Sequence, residues 1–268
     1  MKKLNHLADI YNLYNTFVID LWGVMHNGVT LNPEANNAVE NLIRNKKKVV
    51  FLTNAPRPCK EVKKYLRNLK MNENFLQNIV SSGEAAMQAL RNKRFGNLFF
   101  HLGPSKDNEI FFDIKNKKTS LDKCDFILCT GLLENKEENL DYYKNLLKNY
   151  TTKKFICTNP DLIVHRGNVK EYCAGTLAKI FESIGGEVVY FGKPYREIYN
   201  ICFQEKEKVI AIGDNLNTDI KGANNMNIDS IFISNGVHRS EFKEESELKI
   251  LFKKYKVKAS YYQPHLSW

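Results

Sequence analysis

The chain has 268 residues, of which 43% are hydrophobic and 26% are charged, and this composition excludes an intrinsically disordered protein. Its formal charge is +10, but the lysines are spread among many asparagines without a recognised nucleic-acid motif, so we expect no nucleic-acid partner. No long uncharged apolar run is present and the first residues lack the pattern of a signal peptide, so we expect no membrane span and no export.

Short β-branched or aromatic runs alternate with helical patterns along the whole chain. The runs predict strands at residues 16–20, 48–52, 79–82, 97–102, 126–129, 154–157, 188–191, 209–214 and 230–233. Apolar residues at helical spacing predict helices at about residues 33–43, 58–69, 84–90, 137–147, 176–181, 195–203 and 216–226, and one after residue 240. This alternation predicts an α/β fold with a mostly parallel sheet covered by helices.

The six cysteines bound the redox chemistry of the chain. None of them forms a C-x-x-C pair, which argues against zinc sites and thioredoxin-type chemistry. Cys124, Cys129 and Cys157 lie in apolar, strand-like runs. Free buried thiols in a reducing cytoplasm are the simplest interpretation.

The chemistry-bearing residues come at the ends of four predicted strands. Ligands of parallel α/β sheets bind beyond the carboxyl ends of the strands, so these side chains are expected to meet. They comprise a carboxylate that can act as a nucleophile, a hydroxyl donor, a cation and an acidic pair, which suits phosphoryl transfer with Mg²⁺. In chain order they are Asp20, Thr53 and Asn54, Lys193, and Asp214 and Asp219.

With these motifs in this order, the sequence resembles the haloacid dehalogenase superfamily, in particular its class IIA, NagD and nitrophenyl-phosphatase-like branch. Asn159-Pro160-Asp161 adds to the match. The resemblance implies a Rossmann-like core at residues 1–77 and 187–268, with a large α/β cap domain inserted at residues 78–186. It also implies Mg²⁺ dependence, a small phosphorylated substrate and, by analogy alone, a homodimer.

The resemblance implies a role for each matched acidic residue. Asp20 would be the nucleophile and a Mg²⁺ ligand, and the backbone carbonyl of Trp22 and the side chain of Asp214 would be further ligands. Asp219 would support the metal through water or orient the lysine. From the residues alone, Asp214 and Asp219 could instead cap the following helix at its positive end.

The phosphate-binding residues follow from the same resemblance. Thr53 and the backbone of Asn54 would hold the transferring phosphoryl group, and Lys193 would neutralise it. Asp161 would contact the site from the cap, although its segment also has the composition of an ordinary turn. Lys106 and Arg166 could reach a substrate anion, but solvation at the surface is the simpler expectation for both.

One residue departs from the pattern of the superfamily. Phosphatases of this kind place a second aspartate, the general acid and base, two residues after the nucleophile, and this chain has Trp22 there, as in a sub-branch with D-x-W-G-V. Losing a positioned acid costs about 10²–10⁴-fold in rate, so we expect a preference for esters with good leaving groups. His26 is an alternative acid. A catalytically impaired protein that binds a phosphorylated ligand is the alternative function.

Overall fold

The computed structural model describes the backbone of residues 1–268 and the side chains of all residues except those at positions 109, 112, 113 and 115. Its strands are short and most are buried. In chain order they are β1 (Lys2–Lys3), β2 (Thr16–Ile19), β3 (Lys48–Thr53), β4 (Ile79–Ser81), β5 (Phe99–Leu102), β6 (Phe126–Cys129), β7 (Lys154–Cys157), β8 (Ile163–Arg166), β9 (Val169–Tyr172), β10 (Val188–Tyr190), β11 (Val209–Gly213), β12 (Asp229–Ile233) and β13 (Tyr261–Gln263).

Helices connect most of these strands. The α-helices are α1 (Pro33–Arg44), α2 (Cys59–Asn68), α3 (Ser82–Arg91), α4 (Leu140–Leu147), α5 (Ala174–Ser183), α6 (Arg196–Tyr199), α7 (Lys221–Met226) and α8 (Leu248–Tyr255). Leu216–Ile220 forms a π-helical turn that runs into α7. The first helix shows why they form: the side chain of Asn32 accepts the backbone N–H groups of Glu34 and Ala35, and Pro33 occupies the first turn.

The larger sheet has seven strands in the order β1-β13-β12-β11-β2-β3-β4, and all its neighbours pair in parallel. Its interior strand β2 is buried on both faces, because Phe17 and Ile19 belong to one hydrophobic cluster and Val18 to another. Alternation of side chains along a strand produces this division. The result is a parallel sheet with apolar cores on both sides, as the sequence predicts.

The second sheet has four parallel strands in the order β10-β7-β6-β5, and β8 and β9 form a separate antiparallel hairpin. Hence β4 belongs to the larger sheet and β10 to the smaller one. Both strands lie on the other side of the domain boundaries that the sequence predicts, at 77/78 and 186/187. We propose that the core domain comprises residues 1–81 and 192–268, and that the inserted cap domain comprises residues 82–191.

Several elements differ from the sequence-based expectation: β1 and β13, like the β8–β9 hairpin, were not predicted, and the helix predicted at residues 137–147 begins at Leu140. The β8–β9 hairpin was not predicted, because polar and charged residues such as His165, Arg166 and Glu171 interrupt its apolar residues. The helix predicted at residues 195–203 has regular α-helical form only over Arg196–Tyr199. Ile201, which extends the apolar spacing, is 59% exposed and packs into no core.

Candidate active site

The predicted strand ends meet at one edge of the larger sheet. β2 lies between β3 and β11, so Asp20 after β2, Thr53 at the end of β3 and Asp214 after β11 come from three neighbouring strands. The backbone N–H of Asp20 donates to the carbonyl of Ile212 at 2.9 Å, which extends the pairing of β2 and β11 to the first residue of the site. The three side chains are all buried.

Lys193 makes the largest number of hydrogen bonds among the charged side chains of this site, although in sequence it comes after β10, a strand of the smaller sheet. Its ammonium group donates to Oδ1 of Asp20 at 2.5 Å, to Oδ1 of Asp219 at 2.6 Å and to the carbonyl of Leu52 at 2.9 Å. Burial disfavours the ammonium ion, but Asp20 and Asp219 together hold the pKa of Lys193 well above its usual value. The lysine is therefore a fixed positive charge between two carboxylates.

The carboxylates of the site outnumber that single cation. The nearest carboxylate oxygens of Asp20, Asp214 and Asp219 lie within 4.8 Å of one another. Burial, together with the charge of Asp219, raises the pKa of Asp214 to about 8. Burial also raises the pKa of Asp20 well above its usual value, against the opposing effect of Lys193. Another positive charge would relieve this repulsion, and carboxylate oxygens are among the ligands that Mg²⁺ prefers.

Two glycines leave room for Asp214. A Cβ on Gly23 would lie 2.1 Å from its Oδ2, and a Cβ on Gly236 would lie 2.2 Å from the same oxygen. The backbone N–H of Val237 donates to this oxygen at 2.7 Å. The carboxylate thus occupies a cradle of backbone that any larger residue would fill.

Thr53 and Asn54 form the side of the site next to Lys193. The side-chain amide of Asn54 accepts the backbone N–H of Lys193 at 2.7 Å and donates to the carbonyl of the same residue at 3.1 Å. The hydroxyl oxygen of Thr53 accepts the backbone N–H of Ala55 at 3.2 Å, which leaves its proton for another acceptor. The two hydrogen bonds between the Asn54 side chain and Lys193 fix the backbone of the lysine, a role that the sequence did not predict.

Asp161 reaches this side of the site from the proposed cap domain. Its Oδ1 accepts the amide groups of Asn54 at 3.2 Å and Asn215 at 3.3 Å. Its own backbone N–H donates to the side chain of Asn159 at 3.0 Å, which makes the Asn159-Pro160-Asp161 segment a side-chain-closed turn. Burial raises the pKa of Asp161 to about 6. The residue joins the two parts of the chain beside the site.

The Trp22 side chain lines the cavity but turns its polar atom away from the carboxylates. Its Nε1–H donates to the carbonyl of His165 at 2.9 Å. His26, the alternative acid, lies against the indole edge, and its Nδ1 accepts the backbone N–H of Gly28 at 3.1 Å. Burial, together with the charge of Arg166, lowers the pKa of His26 to about 4. A neutral acceptor of this kind is poorly suited to donate a proton at neutral pH.

Three supporting contacts were not predicted. The hydroxyl of Ser82, the first residue of α3 directly after β4, donates to the backbone carbonyl of Asn54 at 3.0 Å. Arg57, after β3, lies 3.2 Å from the buried carboxylate of Asp107. The imidazole of His238 accepts the backbone N–H of Leu216 at 3.1 Å. The strand-end position of Ser82 could have identified it, whereas the other two depend on contacts between distant segments.

A cavity of about 1560 Å³ covers the site and is lined by both parts of the chain. Asp20, Thr53, Asp214 and Asp219 line its floor. Lys106 and Arg166 also line it, so neither is confined to the outer surface. Within the described residues, every helix is too short or too polar to cross a lipid bilayer.

Comparison with known protein families matches two segments of the chain to hydrolases. Residues 17–115 match the haloacid dehalogenase-like hydrolases, and residues 190–254 match a second family described as HAD-hydrolase-like. A curated relative, phosphoglycolate phosphatase 2 of Arabidopsis thaliana, is 26% identical over 296 residues. The alignment covers 98% of this chain and 94% of the relative.

Solved structures show the same architecture. A haloacid dehalogenase-like hydrolase from Brucella suis 1330 superposes with a TM-score of 0.86 at 27% identity, covering 98% of this chain and 99% of its own. A 4-nitrophenylphosphatase from Thermotoga maritima has a TM-score of 0.71 at 24% identity and covers 96% of both chains. Because the second structure is only 24% identical to this chain, its similarity supports the shared fold alone.

Proposed function

The chain belongs to the haloacid dehalogenase-like hydrolases, and on that premise we propose that it is a magnesium-dependent phosphatase acting through an aspartyl-phosphate on Asp20. The observation that carries the proposal is the buried cluster in which Lys193 lies 2.5 Å from Asp20 while three carboxylates lie within 4.8 Å of one another. A small phosphate ester is the substrate class that this cluster fits, and the Arabidopsis relative is named for one such ester.

The residues of the chain divide the reaction between them. A carboxylate oxygen of Asp20 bonds to phosphorus while the bond to the ester oxygen breaks, and the ester oxygen leaves with the electron pair and takes up a proton. Water then attacks phosphorus, the bond to Asp20 breaks, and inorganic phosphate is released. The hydroxyl of Thr53 and the backbone N–H of Asn54 donate to the phosphoryl oxygens, and Lys193 neutralises their charge.

Mg²⁺ would be held by the carboxylates of Asp20 and Asp214 and by the backbone carbonyl of Trp22, with Asp219 in a supporting role. When bound, the ion neutralises charge on the phosphoryl oxygens and on the clustered carboxylates. Asp219 is already committed to protein partners, because one oxygen accepts Lys193 and the other accepts the backbone N–H of Asn215 at 3.0 Å. This commitment supports a role in orienting Lys193.

The leaving group is expected to depart with little help from a protein acid. Trp22 has no acidic proton to give, and His26 is held as a neutral acceptor. We therefore propose that aryl and acyl phosphates react faster than alkyl phosphates of similar size. Equal rates for matched aryl and alkyl esters would contradict this preference.

We also place the chain in the class IIA, D-x-W-G-V sub-branch, on the strength of Asp20-Leu21-Trp22-Gly23-Val24 and Asn159-Pro160-Asp161. All six cysteines are free, which supports a reducing cytoplasm as its location. We also propose that the protein forms a homodimer, as the resemblance implies. Light scattering on the purified chain measures its mass in solution.

The decisive experiment measures release of p-nitrophenol from p-nitrophenyl phosphate with Mg²⁺ or with a chelator. We compare the wild type, Asp20→Asn and Asp9→Asn, because Asp9 offers the same substitution at an exposed site. Mg²⁺-dependent release is expected from the wild type and Asp9→Asn, and none above background from Asp20→Asn. Full activity in Asp20→Asn, or activity that ignores the chelator, would overturn the proposal.

A further inference from the structure

The β8–β9 hairpin lies across the core loop that follows Asp20. Two backbone-directed hydrogen bonds join them: the indole N–H of Trp22 donates to the carbonyl of His165 at 2.9 Å, and the N–H of Gly167 donates to the carbonyl of Asn27 at 3.0 Å. Trp22 and His165 are 143 residues apart in sequence. The loop and the hairpin therefore meet only through tertiary structure.

A stacked cation adds to this contact. The guanidinium of Arg166 lies 5.0 Å from the centre of the Trp22 ring. Glu171, on the partner strand of the hairpin, accepts the Nε of Arg166 at 2.8 Å and its Nη2 at 3.4 Å. The arginine is thus oriented by its own hairpin and lies against the indole, an arrangement in which a cation–π contact contributes.

The core side holds the indole equally firmly. His26 meets its edge at a centroid distance of 5.1 Å, and the ring of Tyr65 runs parallel to it at 6.5 Å. Gly28 lies so close that a Cβ there would be 2.5 Å from the indole. The Tyr65 hydroxyl donates to the carbonyl of Gly28 at 2.8 Å, which ties this wall together.

We propose that Trp22 is a positioning residue: its indole docks the β8–β9 hairpin over the phosphate site and so sets how substrates and water reach Asp20. The docking itself rests on the contacts above, and its effect on turnover rests on the proposed phosphatase function. A closed hairpin excludes water from a reacting ester and fixes the wall that faces the leaving group. In this chain, the residue two positions after Asp20 therefore holds the β8–β9 hairpin over the site.

Fluorescence tests the docking without any turnover. The chain has two tryptophans, Trp22 and Trp268, so Trp268→Phe leaves Trp22 as the sole indole reporter. In that background we compare Arg166→Ala with Lys170→Ala, because Lys170 is on the same hairpin but lies over the Tyr172 ring. Arg166→Ala is expected to raise acrylamide quenching of Trp22 about twofold or more, with a red-shifted emission, because the indole loses its cover.

The Lys170→Ala control shows whether a change in quenching is specific to the loss of Arg166. Lys170→Ala is expected to leave quenching within about 20% of the parent protein, because its ammonium group does not cover the indole. Equal quenching in Arg166→Ala and in the parent protein would overturn the docking. So would an equally large rise in Lys170→Ala, because the effect would then come from general loosening of the hairpin.

Kinetics test the positioning role. Trp22→Phe keeps a ring but loses the N–H donor, and we expect its kcat/KM to fall about tenfold, mainly through a higher KM. Adding Arg166→Ala to Trp22→Phe is expected to cost less than the product of the two single effects, because both disrupt one contact. Fully multiplicative effects, or an unchanged KM in Trp22→Phe, would overturn the role.

The two proposals fail in different ways. If Asp20→Asn keeps full activity, the phosphatase mechanism is wrong, while the quenching experiment still decides whether the hairpin docks on Trp22. If Asp20→Asn is inactive but Arg166→Ala and Trp22→Phe behave as the wild type, the mechanism stands and the positioning role is wrong. Neither Arg166→Ala nor Trp22→Phe leaves a cavity as large as Trp22→Ala would, so both should fold.

Discussion

The ammonium group of Lys193 donates a 2.5 Å hydrogen bond to Oδ1 of Asp20 across 173 residues of sequence. Both side chains are buried, and Lys193 is the second residue after the segment that we assign to the cap domain. The contact therefore links the first strand of the site to the point where the chain returns to the core. Any displacement of that return point moves the positive charge away from Asp20.

Lys193→Met removes this charge and leaves Asp20, Asp214 and Asp219 buried together. We expect the free energy of unfolding to fall by about 3–5 kcal/mol, because a buried charge without its partner is strongly destabilising. Urea denaturation with and without Mg²⁺ measures the loss, and the ion should restore part of it. Lys48→Met is the control, because its pair with Glu207 lies near the surface and should matter by about 1 kcal/mol or less. Equal losses in both variants would contradict this prediction.

Gly23→Ala is expected to damage the proposed metal site rather than the fold in general. The new methyl group would lie 2.1 Å from the Asp214 carboxylate, so the carboxylate must move, and we expect Mg²⁺ affinity to fall about tenfold or more. Gly185→Ala is a matched control, because φ is +90° there and +88° at Gly23, but no atom lies within 4 Å of its added Cβ. Calorimetric Mg²⁺ titration should separate the two variants. Unchanged affinity in Gly23→Ala would exclude the cradle.

His26 should make stability fall in acid. Burial lowers the pKa of His26 to about 4 from 6.5, so the unfolded chain takes up this proton first. The contribution of His26 is complete above pH 6.5 and is lost as the pH falls towards 4. His26→Asn keeps an acceptor for Gly28, and we expect the wild type to lose about 2 kcal/mol more than this variant between pH 7.5 and pH 5. Urea denaturation at both pH values tests this, and equal losses would refute it.

His238 is expected to act on the metal site through Leu216. Its Nε2 accepts the Leu216 N–H, so its Nδ1 carries the proton and donates to Glu241 at 2.6 Å. His238→Ala strands that buried N–H beside the Asp214 loop, and we expect about tenfold weaker Mg²⁺ binding. His238→Gln supplies a replacement acceptor and should stay within about threefold of the wild type. Identical affinities for the two variants would show that the acceptor has no such role.

The sequence predicts the edge of the sheet better than it predicts what covers it. Asp20, Thr53 and Asp214 come directly after buried apolar runs, and the rule that parallel strands point their carboxyl ends the same way brings them together. The use of Trp22 could not be predicted, because its partners at His165 and Arg166 belong to a polar hairpin without a clear strand pattern. The domain boundaries that we propose differ from the predicted ones for a similar reason. The apolar runs of β4 and β10 indicate strands but not which sheet they join.

The chain leaves the larger sheet at one point and returns to it at another, and the positions of these two points have an evolutionary consequence. The chain leaves the larger sheet at Ser82, whose hydroxyl contacts Asn54, and it returns at Lys193, which contacts Asp20. No strand of the described backbone pairs between the two main sheets. The intervening segment can therefore diverge or be exchanged as a cassette without disturbing the pairing of the seven strands. Under the proposed function, substrate preference can drift among descendants of such a chain while Asp20 and the residues around it are retained.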